Sequence, residues 1–191
     1  MLYALGVGAK ELEFIFERGL KALPTFAVIP AFPALMGLSA AVDINPVMIL
    51  HGEQGFRISK TIPSSGQLTT SGKVTGVYDK GKGALVTIET TTKDAGGDVV
   101  FTNTSGIFIR GAGGFGGERG PEAGNAAPDR APDKSVEMPT LDIQAAIYRL
   151  SGDRNPLHID PAFAKMAGFD RPILHGLCTF GHVGRAVLAE Y

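Results

Sequence analysis

Residues Tyr148 to Pro161 read YRLSGDRNPLHIDP. Asp153, Asn155, His158 and Asp160 crowd into this short stretch, interleaved with Gly152 and Pro156. Two readings stand side by side. Turn chemistry accounts for Asp153 and Asn155, because both side chains favour turns and caps, and a neighbouring carboxylate can satisfy His158. Alternatively, a carboxylate and an imidazole brought together by a tight turn hold one water between them, with both groups tuned toward neutral pH by their surroundings.

Upstream, Ile143, Ile147 and Leu150 recur at i, i+4 and i+7, which predicts an amphipathic helix with Thr140 available as its cap. Downstream of Pro172, Ile173, Leu177, Phe180, Val183 and Val187 share one face of a longer predicted helix. Leu174-His175-Gly176 stands at its start, where N–H groups lack acceptors and the helix dipole favours negative charge. Water-activating groups beside such a start suit an addition or hydrolysis that passes through an oxyanion. Gly176, Gly181 and Gly184 would be costly in an exposed helix. They fit a helix against which a sheet wraps closely, yet the sequence reaches Tyr191 without such a sheet, so one is expected to be missing.

Farther from the motif, residues Gly111 to Lys134 hold almost no large apolar side chain and many Gly, Pro and Ala, which predicts a linker. Before it, Thr69 to Tyr78, Ala84 to Thr91 and Val99 to Arg110 are rich in Val, Ile, Thr, Tyr and Phe. Short Asp/Gly turns separate them, so they predict an antiparallel meander. Glu11 to Arg18 and Gly55 to Ser59 are two further strand candidates. Between those two, the apolar stretch Phe26 to Ala41 predicts an irregular, partly broken helix, because Pro30 and Pro33 interrupt it.

Composition narrows the function classes. With 18 Lys and Arg against 19 Asp and Glu, the net charge of −1 argues against a nucleic-acid partner. Hydrophobic residues at 44% and charged residues at 19% suffice for a packed core over 191 residues. A single cysteine, Cys178, leaves no intrachain disulfide and no cysteine-built zinc site. No apolar run has the roughly 18 residues a membrane span needs, and with no basic-then-apolar pattern over its first residues no signal peptide is expected.

Gly111-Ala112-Gly113-Gly114-Phe115-Gly116 matches the spacing of a dinucleotide-binding glycine fingerprint. That fingerprint needs a helix to open at once, and Glu118-Arg119-Gly120-Pro121 cannot start one well. A flexible crossing between two halves is the better reading. His158 with Asp160, and His175 with His182, lack the pairing of a helical zinc site, so no metal is expected.

The run Tyr148 to His158 resembles the hydratase 2 motif of the MaoC-like dehydratase family, whose members interconvert trans-2-enoyl-CoA and (3R)-3-hydroxyacyl-CoA. Pro172-Ile173-Leu174-His175-Gly176-Leu177-Cys178-Thr179 is similar to the family's active-site helix start. Leu50-His51-Gly52-Glu53-Gln54, Asp79-Lys80-Gly81 and the Gly113 to Gly117 run extend the resemblance over most of the chain. It implies an α+β fold: an N-terminal hot dog over 1–110 that shapes the acyl pocket, a Gly/Pro-rich linker over 111–134, and the start of a second, catalytic hot dog over 135–191. The family begins earlier and continues with several strands past the second helix, so the resemblance implies a chain shortened at both ends.

By the same resemblance Asp153 and His158 hold and activate the water, Asn155 orients them, and the Gly176 N–H faces the thioester oxygen. His51, Gly52 and Lys80 match positions that contact the CoA thioester. The implied partner is an acyl-CoA substrate, with no separate cofactor, no membrane, and a homodimeric assembly. The implied compartment is the cytoplasm, or the peroxisome in a eukaryote. Two rivals share the fold expectation: an acyl-CoA thioesterase, and a catalytically inactive subunit that binds acyl-CoA.

Overall fold

The computed structural model describes residues 1–40, 46–122, 124 and 126–191. Four strands form its sheet: β1 (Ile49–Ile58), β2 (Leu68–Asp79), β3 (Gly83–Asp94) and β4 (Val99–Arg110). They lie in the order β1-β4-β3-β2, every neighbouring pair antiparallel. The turns follow from their residues. Gly81 takes φ +77° between β2 and β3, while Gly97 takes φ +89° between β3 and β4, in a region that side chains with a Cβ rarely enter. In the second turn the Asp94 carboxylate accepts the N–H groups of Gly96 and Asp98 at 3.0 and 3.1 Å.

The helices are α1 (Leu2–Gly6), α2 (Leu12–Ile15), α3 (Val28–Ala40), α4 (Gln144–Tyr148), α5 (Pro161–Met166) and α6 (Gly176–Leu188). A 3-10 turn at Pro24–Ala27 leads directly into α3. This helix lies on the sheet against β2 and β3, with Leu35 packed into Ile88, Ile107 and Ile109. Two polar ties fix it there: Asn103 Nδ2 donates to the Ala27 carbonyl at 3.1 Å, and Thr70 Oγ1 to that of Pro30 at 3.2 Å. Pro30 falls in the first turn, where no intrahelical donor is lost, and Pro33 lies inside the helix. The helix therefore runs on where a partly broken one was expected; Ala41, the end of that expected range, lies outside the described residues.

The three predicted strands of the meander are β2, β3 and β4. Gly55 to Ser59 proves to be the end of the longer β1, whose register shifts between His51 and Glu53. Glu11 to Arg18 is not a strand. Its centre is the single helical turn α2, which buries Phe14 while leaving Leu12 and Phe16 exposed. The segment packs beside α6, where Arg185 pairs with Glu11 at 2.8 Å.

Beyond Arg110 the described residues form no strand; the last part of the chain contributes α4, α5 and α6. Their buried faces differ from those expected. In α4 the buried residues are Gln144 and Tyr148, whereas Ile143 and Leu150 are exposed, and Ile143 rather than Thr140 occupies the cap position. The cause is α1: Gln144 Nε2 donates to the Gly6 carbonyl at 2.5 Å, and a Cβ on Gly6 would sit 3.1 Å from Tyr148 Cα. In α6, Leu177, Cys178, Gly181 and His182 are buried, while Val183 and Val187 are exposed. The α6 glycines do mark close approach, but not to a sheet. A Cβ on Gly181 would run into Val7, and one on Gly184 into Thr25, whereas Gly176 faces open space.

The Gly-rich crossing is fastened at its beginning. Asp79, at the end of β2, accepts the N–H groups of Gly81, Gly114 and Gly116, each at 2.8 Å. These bonds, that from Gly114 foremost, hold its carboxyl below the usual carboxylate range. The anion cradled by this glycine loop is thus the chain's own side chain.

Candidate active site

The motif loop is built by caps and turns. A 3-10 turn over Arg149–Ser151 extends α4 and is ended by Gly152 at φ +136°. Asp153 follows, 9% exposed, its Oδ1 accepting the Asn155 N–H at 3.2 Å. Asn155 is exposed, and its Oδ1 accepts the Leu157 N–H at 3.0 Å, capping the 3-10 turn Pro156–His158. That turn carries His158 inward. Asp160 is spent on the next cap, where its carboxylate accepts the Ala162 N–H at 2.8 Å to start α5.

The start of α6 meets this loop. His158 Nδ1 lies 2.8 Å from the Ile173 carbonyl, which can only accept, so Nδ1 carries the hydrogen. In the neutral ring Nε2 then keeps its lone pair, as a general base requires. His175, at the N-cap of α6, donates Nε2–H to the backbone carbonyl of Asp153 at 3.1 Å. The two imidazoles are stacked, with centroids 3.8 Å apart and planes at 28°. Tyr148 also packs against His175, with centroids 4.8 Å apart and planes at 53°. Burial above all, with the neighbouring His158 second, pushes His175 down to about 4, so its ring is neutral at physiological pH.

Asp153, His158 and His175 each offer one ligand atom, and these atoms all lie within 4.8 Å of one another. His158 Nδ1 and His175 Nε2 are already hydrogen-bonded to the Ile173 and Asp153 carbonyls. As they stand, the carboxylate and the His158 ring suit a water, and the opening of the 13-residue helix α6 lies beside them with Gly176 exposed at its first position. The first N–H groups of a helix have no intrahelical acceptor and favour negative charge.

The other expected site residues are distributed as follows. His51 and Gly52 lie at the β-bulge of β1, opposite Gly106 and Ile107 of β4. His51 is exposed by surface area and hydrogen-bonded to Gln54 Oε1 at 3.0 Å, yet protein crowds its ring. That crowding lowers its pKa, while Gln54 and the charge of Asp153 oppose the shift. Lys80 stands in the turn after β2, its Nζ donating to the Pro121 carbonyl at 2.5 Å. No bond joins Lys80 to the Asp153–His158 cluster among the described residues.

Cys178 is buried, and burial pushes its thiol up to about 12, so it stays protonated and is no nucleophile. His182 donates Nδ1–H to the Cys178 carbonyl at 2.9 Å and packs against Gly8 in the interior. From the sequence, His175 stands at a helix start, in the run similar to the family's active-site helix start, and is weighed with His182 as a metal pair. No catalytic role falls to it there, because its stacking on His158 spans 17 residues and leaves no local pattern.

Two family models divide the chain. "MFE-2 hydratase 2 N-terminal domain" matches residues 1–111, and "MaoC like domain" matches residues 123–191. The peroxisomal hydratase-dehydrogenase-epimerase of Neurospora crassa is 48% identical over 205 residues, covering 100% of this chain and 23% of the relative. The probable enoyl-CoA hydratase 2 of Dictyostelium discoideum is 46% identical over 207 residues, covering 100% of this chain and 69% of the relative. Among solved structures, a MaoC-like dehydratase from Phytophthora capsici superposes with a TM-score of 0.84 at 38% identity, over 100% of this chain and 70% of its own. The chain thus spans from about a quarter to just over two thirds of the relatives it matches. Its α+β fold is that of the hot-dog proteins. Both halves of the sequence, the His158 loop and the opening of α6 included, fall within these matches: the chain belongs to the MaoC-like hydratase 2 family.

Proposed function

We propose that this protein catalyses the reversible, (R)-specific hydration of trans-2-enoyl-CoA to (3R)-3-hydroxyacyl-CoA in fatty-acid metabolism. The observation that carries the reading is the Nδ1–H bond from His158 to the Ile173 carbonyl, which leaves Nε2 as the basic atom of a ring clustered with the Asp153 carboxylate.

The chemistry follows from that arrangement. Asp153 accepts a hydrogen bond from the water hydrogen that stays on the oxygen, while His158 Nε2 takes the other as a proton. The water oxygen bonds to Cβ as the Cα–Cβ π electrons move toward the thioester carbonyl. Negative charge collects on that oxygen, where the Gly176 N–H at the opening of α6 stabilises it. The proton held by His158 then passes to Cα on the same face, and dehydration retraces these steps. Atoms balance with one water consumed, and no electron is transferred, so these side chains suffice.

Asn155 acts by pinning the turn: its own N–H binds Asp153, and its side chain caps the turn that presents His158. His51 and Gly52 at the bulge, and Lys80 in the turn after β2, are assigned to contacts with the CoA thioester. Residues 1–110 are assigned to the acyl pocket, 111–134 to the linker and 135–191 to catalysis. The protein works as a homodimer. No described helix is long and apolar enough to cross a membrane. The relatives named peroxisomal suggest that compartment for a eukaryotic source, and the cytoplasm otherwise.

The test compares the parent with Asp153→Asn and His158→Gln, following loss of the conjugated enoyl-thioester absorbance. Each variant is expected to lose activity by at least about 100-fold, the range for removing a general acid or base. Variants that turn over like the parent would remove both residues from the chemistry.

A further inference from the structure

We propose that His175 is a positioning residue that holds both reacting side chains of the site, His158 through its ring face and Asp153 through its ring N–H. The proposal rests on the enoyl-CoA reading only for its kinetic consequence; the placement of His158 is tested independently of activity.

His175 is 1% exposed, against 9% for His158. Its Nδ1 is buried without a hydrogen-bond partner among the described residues, and its Nε2–H is committed to the Asp153 carbonyl. A ring so enclosed cannot itself exchange a proton with a substrate. What it presents to the site is a face, stacked at 3.8 Å on His158, and one donor. Tyr148 packs against that ring with centroids 4.8 Å apart, and is itself fully buried against α1. A continuous wedge therefore runs from the N-terminal helix through Tyr148 and His175 to His158.

The consequence is specific. His158 needs its ring plane fixed for Nδ1–H to stay on the Ile173 carbonyl and for Nε2 to face the water. One hydrogen bond leaves the ring free to rotate about that contact; a stacked neighbour removes the freedom. The neighbour must also remain neutral, because a second positive ring at this separation would repel the imidazolium that His158 forms when it takes the proton. The low pKa of His175 meets that requirement. Its bond to the Asp153 carbonyl then fixes the carboxylate-bearing residue relative to the same ring, so the two groups that share the water are set by one side chain.

Two substitutions in the full chain separate these contributions, with circular dichroism confirming that each folds. His175→Phe keeps a neutral ring but loses the N–H; His175→Asn keeps a polar cap residue but loses the ring. The first readout is the His158 tautomer by long-range 1H–15N NMR. The parent and His175→Phe should show the Nδ1–H form, and His175→Asn a mixture in which Nε2–H is prominent. The second readout is kinetic: kcat for enoyl-CoA hydration should fall about 100-fold in His175→Asn and about 10-fold in His175→Phe, with KM within about twofold, the scale of misplacing a reacting group by an ångström. An unchanged tautomer in His175→Asn would overturn the proposal. So would an equal loss of kcat in the two variants. If the parent is inert on enoyl-CoA while the tautomer still depends on His175, the functional reading fails and the positioning role stands.

Discussion

Gly181 of α6 lies so close to Val7 that a Cβ at position 181 would overlap the valine side chain. Val7 itself is 0% exposed, so it has nowhere to go. This contact joins the first residues of the chain to the helix whose opening forms the candidate oxyanion site. Gly181→Ala is expected to destabilise the fold by about 1–3 kcal/mol, the cost of overpacking a closed interior, measured by urea unfolding. Adding Val7→Ala should return part of that loss, because it removes the colliding methyl groups. A double variant with the sum of the two single losses would show that the positions do not meet.

The glycine-rich crossing depends on one carboxylate. Asp79 receives three backbone N–H groups, two of them from the crossing itself. Asp79→Ala should leave the sheet intact while exposing residues 112–134 to limited proteolysis several-fold faster than in the parent. The same release should occur in acid. A carboxyl whose folded pKa is depressed stabilises the fold above its ordinary pKa, and that contribution is lost as pH falls through the folded value. Protection of the crossing should therefore persist at pH 5 and fail well below pH 4, the usual range for Asp.

His175 acts in the same direction but in a higher pH window. Its folded pKa is about 4 against an ordinary 6.5. Between these values the unfolded chain binds a proton that the folded chain refuses, so stability rises with pH across the window and levels off above it. The thermal midpoint of the parent should drop as the pH is lowered from 7 to 5. His175→Phe should show a shallower drop over that interval. Equal slopes would mean that His175 is not buried in its neutral form.

Gln144 is a buried polar residue at 1% exposure, and its Nε2–H group goes to the Gly6 carbonyl. Cys178 donates to that same carbonyl at 3.3 Å. Gln144→Ala opens a cavity and removes one of the two donors, and should cost about 1–3 kcal/mol in unfolding experiments. Ile143→Ala, on the exposed face of the same helix, should cost less than about 0.5 kcal/mol.

That contrast between Gln144 and Ile143 shows where the sequence is legible and where it is not. The meander was readable because β2, β3 and β4 carry β-branched residues between Asp/Gly turns, a signal local to each strand. In β1 only the Gly55 end was readable, since the bulge at His51–Glu53 breaks the two-residue period. The helix faces at Ile143 and Val183 misled because hydrophobic spacing says which residues are alike, not which neighbour arrives. Here α1 arrives on the other face, and a small Gly6 or Gly181 with a polar Gln144 makes that contact. In the site, Asp153, Asn155 and His158 were legible as one motif because a single loop holds them. His175 joins them only through the fold.

The most direct measurement of the central claim is the identity of the product that the parent chain makes from trans-2-enoyl-CoA. Enoyl absorbance and free thiol are followed together, and the alcohol is resolved by chiral chromatography. Loss of absorbance with no thiol release, giving the (3R)-3-hydroxyacyl-CoA alone, is the predicted result. Thiol release in step with substrate loss, a (3S) product, or acyl-CoA binding with no turnover at all would contradict it.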